Sequence, residues 1–369
     1  MTGFISFRDV SKSYGNVTVV EGLNLEVAKG EFLSLLGPSG SGKTTILMLL
    51  AGFEAVTSGE IVLDGQKVNH LPPHRRGMGV VFQNYALFPH MSVAENVAFP
   101  LEMRKVPKAE IKERVRKALD RVHLAHLGDR KPAQLSGGQQ QRVALTRALV
   151  FEPKVILMDE PLGALDKQLR EHMQLEIREL HRRLGLTIVF VTHDQSEALT
   201  MSDRIAIFNK GKIAQIGTAD EVYDQPQNRF VSQFIGETNL LEGRLAGNGQ
   251  EGGEEGGGHL AIELEGGHRI RAAAPAQPLG DLAAGKAVVS LRPERVRLDA
   301  GTPDGRAPDG NTIRATIDDV VYQGDHLRLH LSAGGLKLVA RAERGGPGRR
   351  PGETVELSFS AADCSVFPA

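Results

Sequence analysis

Apolar residues in this chain gather in short blocks, and the pattern between the blocks changes once. Residues 1 to about 237 read as strands alternating with helices. Phe32–Leu36 (FLSLL) is an apolar run of strand length that breaks into a Gly/Ser loop before the helical stretch Thr44–Leu50. Val155–Met158 and Ile188–Val191 are further apolar runs, each followed at once by polar residues. Strands apolar throughout and separated by helices predict a mainly parallel sheet covered on both faces. From Asn84 to Pro153 the spacing is helical instead. Ala109–His123 places Ile111, Val115, Leu119 and Val122 on one face, which predicts a helical insertion beside the sheet.

Past about Gly236 the texture shifts to short strands: Asn239–Leu245, Leu260–Leu264, Ala287–Leu291, Ile313–Val321, Leu327–Leu331, Leu336–Val339 and Val355–Phe359. Several alternate strictly, as in Leu327-Arg328-Leu329-His330-Leu331. Loops rich in Gly, Pro and Asp separate them, notably Gly247–Gly258 and Gly301–Asn311. Short strands with frequent turns predict a small all-β barrel or sandwich. No long internal repeat is present. The domain reading is therefore 1–237, with a helical subdomain at about 84–153, followed by 238–369.

Length agrees with two domains, since 369 residues exceed one ordinary core. Lys plus Arg total 44 against 45 Asp plus Glu, a net charge of -1. This balance argues against nucleic acid as a partner. A single cysteine, Cys364, excludes an intrachain disulfide and a cysteine-based zinc site, and it favours a reducing compartment. Met1–Phe4 lacks the features of a secretory signal. The most apolar run, Ile46–Phe53, falls short of the roughly 18 residues that a membrane span requires. Any membrane role is expected to run through a membrane partner.

Candidate chemistry begins at Gly37-Pro38-Ser39-Gly40-Ser41-Gly42-Lys43-Thr44, a P-loop pattern between a predicted strand and a predicted helix. Small residues are required there, because successive backbone N–H groups must curl around phosphates. The helix N-terminus adds partial positive charge. Lys43 is expected at the β- and γ-phosphates of ATP, the Thr44 hydroxyl on Mg²⁺, and Thr45 beside them. Val155–Met158 then leads into Asp159 and Glu160, acids at the carboxyl edge of the same sheet. Asp159 is expected to bind the metal through water, and Glu160 to orient or deprotonate the attacking water. A guanine-reading Asn-Lys-x-Asp element is missing, because Asn209-Lys210-Gly211-Lys212 ends in lysine.

Leu135-Ser136-Gly137-Gly138-Gln139-Gln140-Gln141-Arg142 repeats the phosphate-binding design at the start of a second helix, Gln139–Leu149. A chain whose P-loop already holds the phosphates has no local use for it. Ser136, Gly137, Gly138 and Gln139 make sense closing on the nucleotide of another copy.

With this run the sequence resembles the ABC ATPase family, and the resemblance continues in order from residue 4 to about 237. It implies that Tyr14 stacks on adenine, that Gln83 contacts Mg²⁺ and water, and that His193 senses the γ-phosphate. It also implies that Ala164-Leu165-Asp166 crosses a dimer interface, although Gly163 stands where serine is common. The apolar loop Tyr85–His90 (Tyr85, Leu87, Phe88, Pro89, His90) corresponds to the region that receives a permease coupling helix. The β-rich tail is similar to the OB-type TOBE extension of importer ATPases. Its runs Leu291-Arg292-Pro293-Glu294 and Tyr322-Gln323-Gly324-Asp325, with Gly236–Gly243, look most like the spermidine/putrescine importer group. The alternatives are an importer for ferric iron, a sugar, phosphonate or sulfate, or a non-transport ABC ATPase. One P-loop and one signature per chain imply a homodimer, or a closely similar heterodimer. The resemblance further implies two permease subunits, a periplasmic or extracellular solute-binding protein, and a peripheral place on the cytoplasmic face of the inner membrane.

Overall fold

The computed structural model describes residues 3–246, 259–273, 285–298, 310–345 and 348–368. Met1, Thr2 and the expected loop Gly247–Gly258 lie outside the described residues; of the expected loop 301–311, only Gly310 and Asn311 lie inside, and they open a strand. The chain divides into two compact units, Met1–Ala219 and Asp220–Ala369.

The first unit runs β1 (Ile5–Tyr14), β2 (Val17–Val27), β3 (Phe32–Leu36), α1 (Lys43–Ala51), β4 (Ser58–Leu63), β5 (Gln66–Lys67) and β6 (Met78–Val81). It continues through α2 (Val93–Met103), α3 (Lys108–Arg121), α4 (Gly137–Leu149), β7 (Val155–Asp159), α5 (Lys167–Leu184), β8 (Thr187–Thr192), α6 (Gln195–Met201), β9 (Arg204–Asn209) and β10 (Lys212–Gly217). Six strands form one sheet in the order β10-β9-β3-β8-β7-β6. All its pairs are parallel except β9 with β10.

Period-two packing fixes the register of that sheet. Leu33, Leu35, Val155, Leu157, Val189 and Val191 face one core, which also holds α1. Phe32, Ile156, Met158, Ile188 and Phe190 face the other, which holds side chains of α4 and α5. The first core also takes Ile5, Phe7, Leu25 and Ile61 from a second, antiparallel sheet ordered β2-β1-β4-β5. That sheet is a finding beyond the single parallel sheet expected from sequence. α2, α3 and α4 share their own core around Val97, Leu101, Val115 and Val143.

The second unit opens with α7 (Ala219–Asp224) and α8 (Arg229–Phe234), then ten strands. They are β11 (Asn239–Leu245), β12 (His259–Leu264), β13 (Arg269–Ala273), β14 (Lys286–Leu291), β15 (Arg297–Leu298), β16 (Gly310–Tyr322), β17 (His326–Ala333), β18 (Leu336–Glu343), β19 (Thr354–Ser360) and β20 (Cys364–Pro368). They pair into two five-stranded antiparallel sheets, β13-β12-β11-β14-β20 and β15-β19-β16-β17-β18. One core lies between them, built from alternate residues such as Ile262, Val289, Ile317, Leu331 and Leu357. The all-β tail expected from alternation is therefore present, preceded by two short helices.

Candidate functional site

Gly37–Gly42 connect β3 to α1. A Cβ on Gly37 would sit 2.5 Å from the Phe208 carbonyl oxygen, and one on Gly42 would sit 2.9 Å from that of Val19. Gly42 also has φ 98° and precedes α1 without any side-chain cap. The first amides of α1 are thus left for an outside acceptor, and the helix dipole favours an anion there. Pro38, Ser39 and Gly40 are exposed, while Ser41 is buried behind them.

Lys43 curls back across this loop. Its Nζ donates to the carbonyls of Gly37 at 2.8 Å and Pro38 at 2.9 Å. Burial pulls its pKa below the usual lysine range, and the charges of Glu160 and Asp159 act against that fall. Thr44 Oγ1 donates to Asp159 Oδ1 at 2.9 Å, so the hydroxyl's lone pairs stay open for another ligand. Thr45 follows, half-buried. Asp159 itself is pushed up by burial, opposed by the Thr44 bond.

Glu160 follows the last residue of β7 in a left-handed conformation, φ 43°. Its N–H donates to Val191 O at 3.0 Å, which pins the turn to β8. Glu160 Oε2 then accepts from Gln83 Nε2 at 3.3 Å and lies 3.1 Å from His193 Nδ1. Gln83 follows β6, Glu160 follows β7 and His193 follows β8, three adjacent strands of the sheet. Parallel strands bring their carboxyl ends to one edge, and this sheet uses that edge for a basic, an acidic and an amide side chain around one oxygen.

The remaining expected residues sit on other elements, β1, α4 and α5. Ser136 caps α4: its Oγ accepts from Gln139 N at 3.4 Å, and Gln139 Oε1 accepts from Ser136 N at 2.9 Å. Gly137 and Gly138 rest against Leu165 and Leu169, where a Cβ on Gly138 would come within 3.0 Å of Leu169. Asp166 caps α5 through Leu169 N at 2.9 Å. Tyr14 ends β1 with its ring 46% exposed, and Lys12 Nζ sits 4.6 Å from the ring centroid. These placements join the signature run to the Leu165 loop.

In the Tyr85–His90 loop, Tyr85 is buried at 5% exposure, and Leu87 and Phe88 are half-buried. Arg147 holds the loop inward by donating to Tyr85 O at 2.7 Å and Ala86 O at 2.8 Å. Phe88 packs on Phe99 at 4.7 Å. Pro89 and His90 remain exposed. Beside this loop lies a groove of about 430 Å³ lined by Phe53, Phe82, Phe88, Phe99, Arg104 and Phe151, among others.

Sequence reasoning missed Lys12, Arg147, Arg170 and Glu197. Glu197 is 2% exposed and its carboxyl is pushed up, first by burial. None of these four stands in a run that names its chemistry. The only local sign is the polar density of Thr192–Glu197 after an apolar strand.

A profile of the ABC transporter family matches residues 20–163, and one of the TOBE domain matches residues 289–367. The spermidine/putrescine import ATP-binding protein PotA of Rubrobacter xylanophilus is 48% identical over 98% of this chain and 93% of its own length. The chain belongs to the ABC transporter family of ATP-binding proteins. The protein of the same name from Thermobifida fusca is 51% identical over 87% of this ABC chain and 81% of its own. Among solved structures, a dimeric bacterial ABC transporter cassette superposes with TM-score 0.53 at 35% identity, covering 58% of this chain and 98% of its own. A post-hydrolysis dimer of such a cassette, bound to ADP and Pi, gives TM-score 0.53 at 34% identity over the same shares, 58% and 98%. The first unit thus carries an ABC cassette, and the β-rich tail carries a TOBE domain. Among the described residues, no helix is long and apolar enough to cross a membrane.

Proposed function

We propose that this chain is the ATP-hydrolysing subunit of a polyamine importer of the spermidine/putrescine class. The observation that carries the reading is the near full-length likeness to import ATP-binding proteins so named, 48% identity over 98% of the chain, together with an intact Lys43–Thr44–Asp159–Glu160 cluster. In this reading the Gly37–Thr45 loop and the first turn of α1 hold the phosphates, Lys43 neutralises them, and Tyr14 offers its open ring face to the adenine.

The donor set suits Mg²⁺. Thr44 Oγ1 and Asp159 Oδ1 are hard oxygens 2.9 Å apart, and Gln83 could add an amide oxygen. No group of three or more His, Cys, Asp or Glu able to hold a metal occurs among the described residues, so such an ion would complete its shell with phosphate and water, as Mg²⁺ prefers. Bound there, Mg²⁺ would neutralise charge on the phosphates.

Glu160 accepts the proton of the attacking water, and His193 and Gln83, both at its Oε2, hold the carboxylate in place. The signature residues Ser136–Gln139 cap α4 rather than the P-loop helix α1, and a second copy would supply them to the nucleotide. ATP then joins two chains, and hydrolysis releases them, an open–closed cycle that drives alternating access in two permease subunits. A solute-binding protein would deliver the polyamine, and the subunit would sit on the cytoplasmic face of the inner membrane.

Deletion of the gene is expected to abolish uptake of labelled spermidine and putrescine, with restoration by the wild-type chain and none by Glu160→Gln. Unchanged polyamine uptake with loss of iron or sugar uptake would replace the solute and keep the ATPase.

A further inference from the structure

We propose that Arg170 is a positioning residue that ties the Gly163–Asp166 loop to the turn carrying His193, so that movement of the loop moves the histidine. The inference rests on the ATPase reading above and adds a residue to it.

The guanidinium of Arg170 spans two loops that are not neighbours in sequence. Its NH2 donates to Leu165 O at 3.0 Å, and its NH1 to Asp194 Oδ2 at 3.1 Å. Asp194 divides its two oxygens. Oδ2 takes the arginine, while Oδ1 accepts from Ser196 N at 2.8 Å and Glu197 N at 3.3 Å and so caps α6. Thr192 Oγ1 accepts from Asp194 N at 2.9 Å and donates to Glu197 Oε2 at 2.5 Å. His193 therefore stands on a turn braced on the α6 side, and Arg170 is the brace on the other. From His193 the line continues 3.1 Å to Glu160, whose carbonyl accepts from Gly163 N at 3.3 Å and returns it to the loop.

The third guanidinium nitrogen gives this brace room for a second position. Arg170 Nε is buried without a hydrogen-bond partner, an arrangement that native structures retain only for a reason. Glu197 Oε1 lies 3.9 Å away, in ion-pair range and beyond a hydrogen bond. A cavity of about 30 Å³ lies between Gly163, Arg170, His193 and Glu197, enough for one small displacement. A shift of the loop toward Glu197 pairs Nε and carries Asp194 and His193 with it. The tie thus rests on a second bonding state of Arg170 with Glu197, since coupling between loops requires two discrete arrangements.

The test is steady-state ATP hydrolysis by the full chain carrying Arg170→Ala, Arg170→Lys, Asp194→Asn or Arg170→Ala with Asp194→Asn. Asp194→Asn keeps the oxygen that caps α6 and turns an amide toward the guanidinium. Each single change is expected to lower kcat roughly ten- to hundredfold with KM within about threefold, and the double variant to fall no further, as for residues acting through one shared contact. Lysine cannot reach both Leu165 O and Asp194, so Arg170→Lys is expected to behave like Arg170→Ala. Losses that multiply in the double variant, full activity in Arg170→Lys, or KM rising in step with the fall in kcat would overturn the tie. If Arg170→Ala does not fold, Asp194→Asn and Arg170→Lys decide the matter alone. A wild-type chain that hydrolyses no ATP overturns the functional reading instead. The tie then stands or falls on amide exchange at Asp194–Glu197, which is expected to quicken in Arg170→Lys and whose constancy overturns it.

Discussion

Among the described residues, nine non-glycine residues adopt a left-handed backbone, and all nine lie between Asp9 and Lys210, in the unit Met1–Ala219. The described residues of the unit Asp220–Ala369 include none. Some are ordinary turns, such as Asp64 and Lys210. Three, however, flank the reacting edge: Glu160 at φ 43°, and Tyr85 at φ 62° with Ala86 at φ 47°, just past Gln83. A left-handed non-glycine residue costs about 1–3 kcal/mol and persists only where its surroundings over-determine it. Here the Glu160 N–H bond to Val191 and the Arg147 bonds to Tyr85 and Ala86 supply that determination. The β unit needs no such device. Its strands alternate, and one core fills between its sheets. Chemistry has shaped the backbone of one unit, and packing alone accounts for the other.

The largest break in that contrast should come from Glu160. Glu160→Gln keeps size and the oxygen that Gln83 and His193 face, but it cannot accept a proton as a base. Turnover is expected to fall by roughly 10²–10⁴-fold while MgATP still binds and holds a dimer, read by phosphate release and size-exclusion chromatography. Lys43→Ala is expected to lose nucleotide binding and the ATP-dependent dimer together. Near wild-type hydrolysis in Glu160→Gln would leave Glu160 a structural acid at a strand end.

The groove beside the Tyr85 loop offers a second test at its exposed residue Phe53. Phe53 is 52% exposed and lies 5.8 Å from Phe82. Phe53→Asp is expected to abolish co-purification with the permease and to leave ATP hydrolysis within about twofold, because an exposed polar substitution disturbs the fold little. Normal co-purification would remove the groove as the docking site.

Much of the reacting edge was legible because each motif is contiguous. The Gly37–Thr44 run, the Asp159-Glu160 pair and the Ser136–Gln139 cap each declare themselves within eight residues. What escaped depends on distant partners. The antiparallel sheet was hidden because β1 loses its alternation at the bulge around Asp9 and because β1 pairs with β4 across some fifty residues, Ile5 opposite Leu63. β13 and β20 were missed for a similar reason: each is five residues long, and β20 takes its register from β14, with Leu291 opposite Cys364. The burial of Tyr85 was not legible either, because Arg147, which ties its carbonyl down, stands sixty-two positions on.

Arg292 sharpens the comparison from the side of the β unit. It is 6% exposed, its guanidinium lies 4.4 Å over the Tyr223 ring, and it donates to the carbonyls of Tyr223, Ser232 and Glu237 at 3.0, 3.1 and 3.2 Å. Burial lowers its pKa. Arg292→Ala strands those buried acceptors, so it is expected to destabilise this unit by about 2–4 kcal/mol while ATP turnover changes less than about twofold. A separate, earlier thermal transition in calorimetry is the sign to look for. Equal loss of turnover would show that the two units are not independent in function.

The smallest effect concerns Tyr223 and appears only at alkaline pH. Its hydroxyl donates to Glu294 Oε1 at 2.5 Å, and burial, then that bond, raise its pKa from 10.0 to about 12. Between these values the unfolded chain has already released the phenolic proton and the folded chain still holds it. The unfolded state therefore binds fewer protons, and the slope of unfolding free energy with pH is negative across that window. The stabilisation is complete below pH 10 and is lost as pH rises through about 12. Tyr223→Phe has no proton to lose. The wild-type chain is thus expected to shed stability between those limits faster than the variant, measured as the difference between their denaturant midpoints at successive pH values. Other tyrosines and lysines titrate in both chains and cancel in that difference. Parallel curves would mean that the Tyr223–Glu294 bond does not hold the phenol in its protonated form.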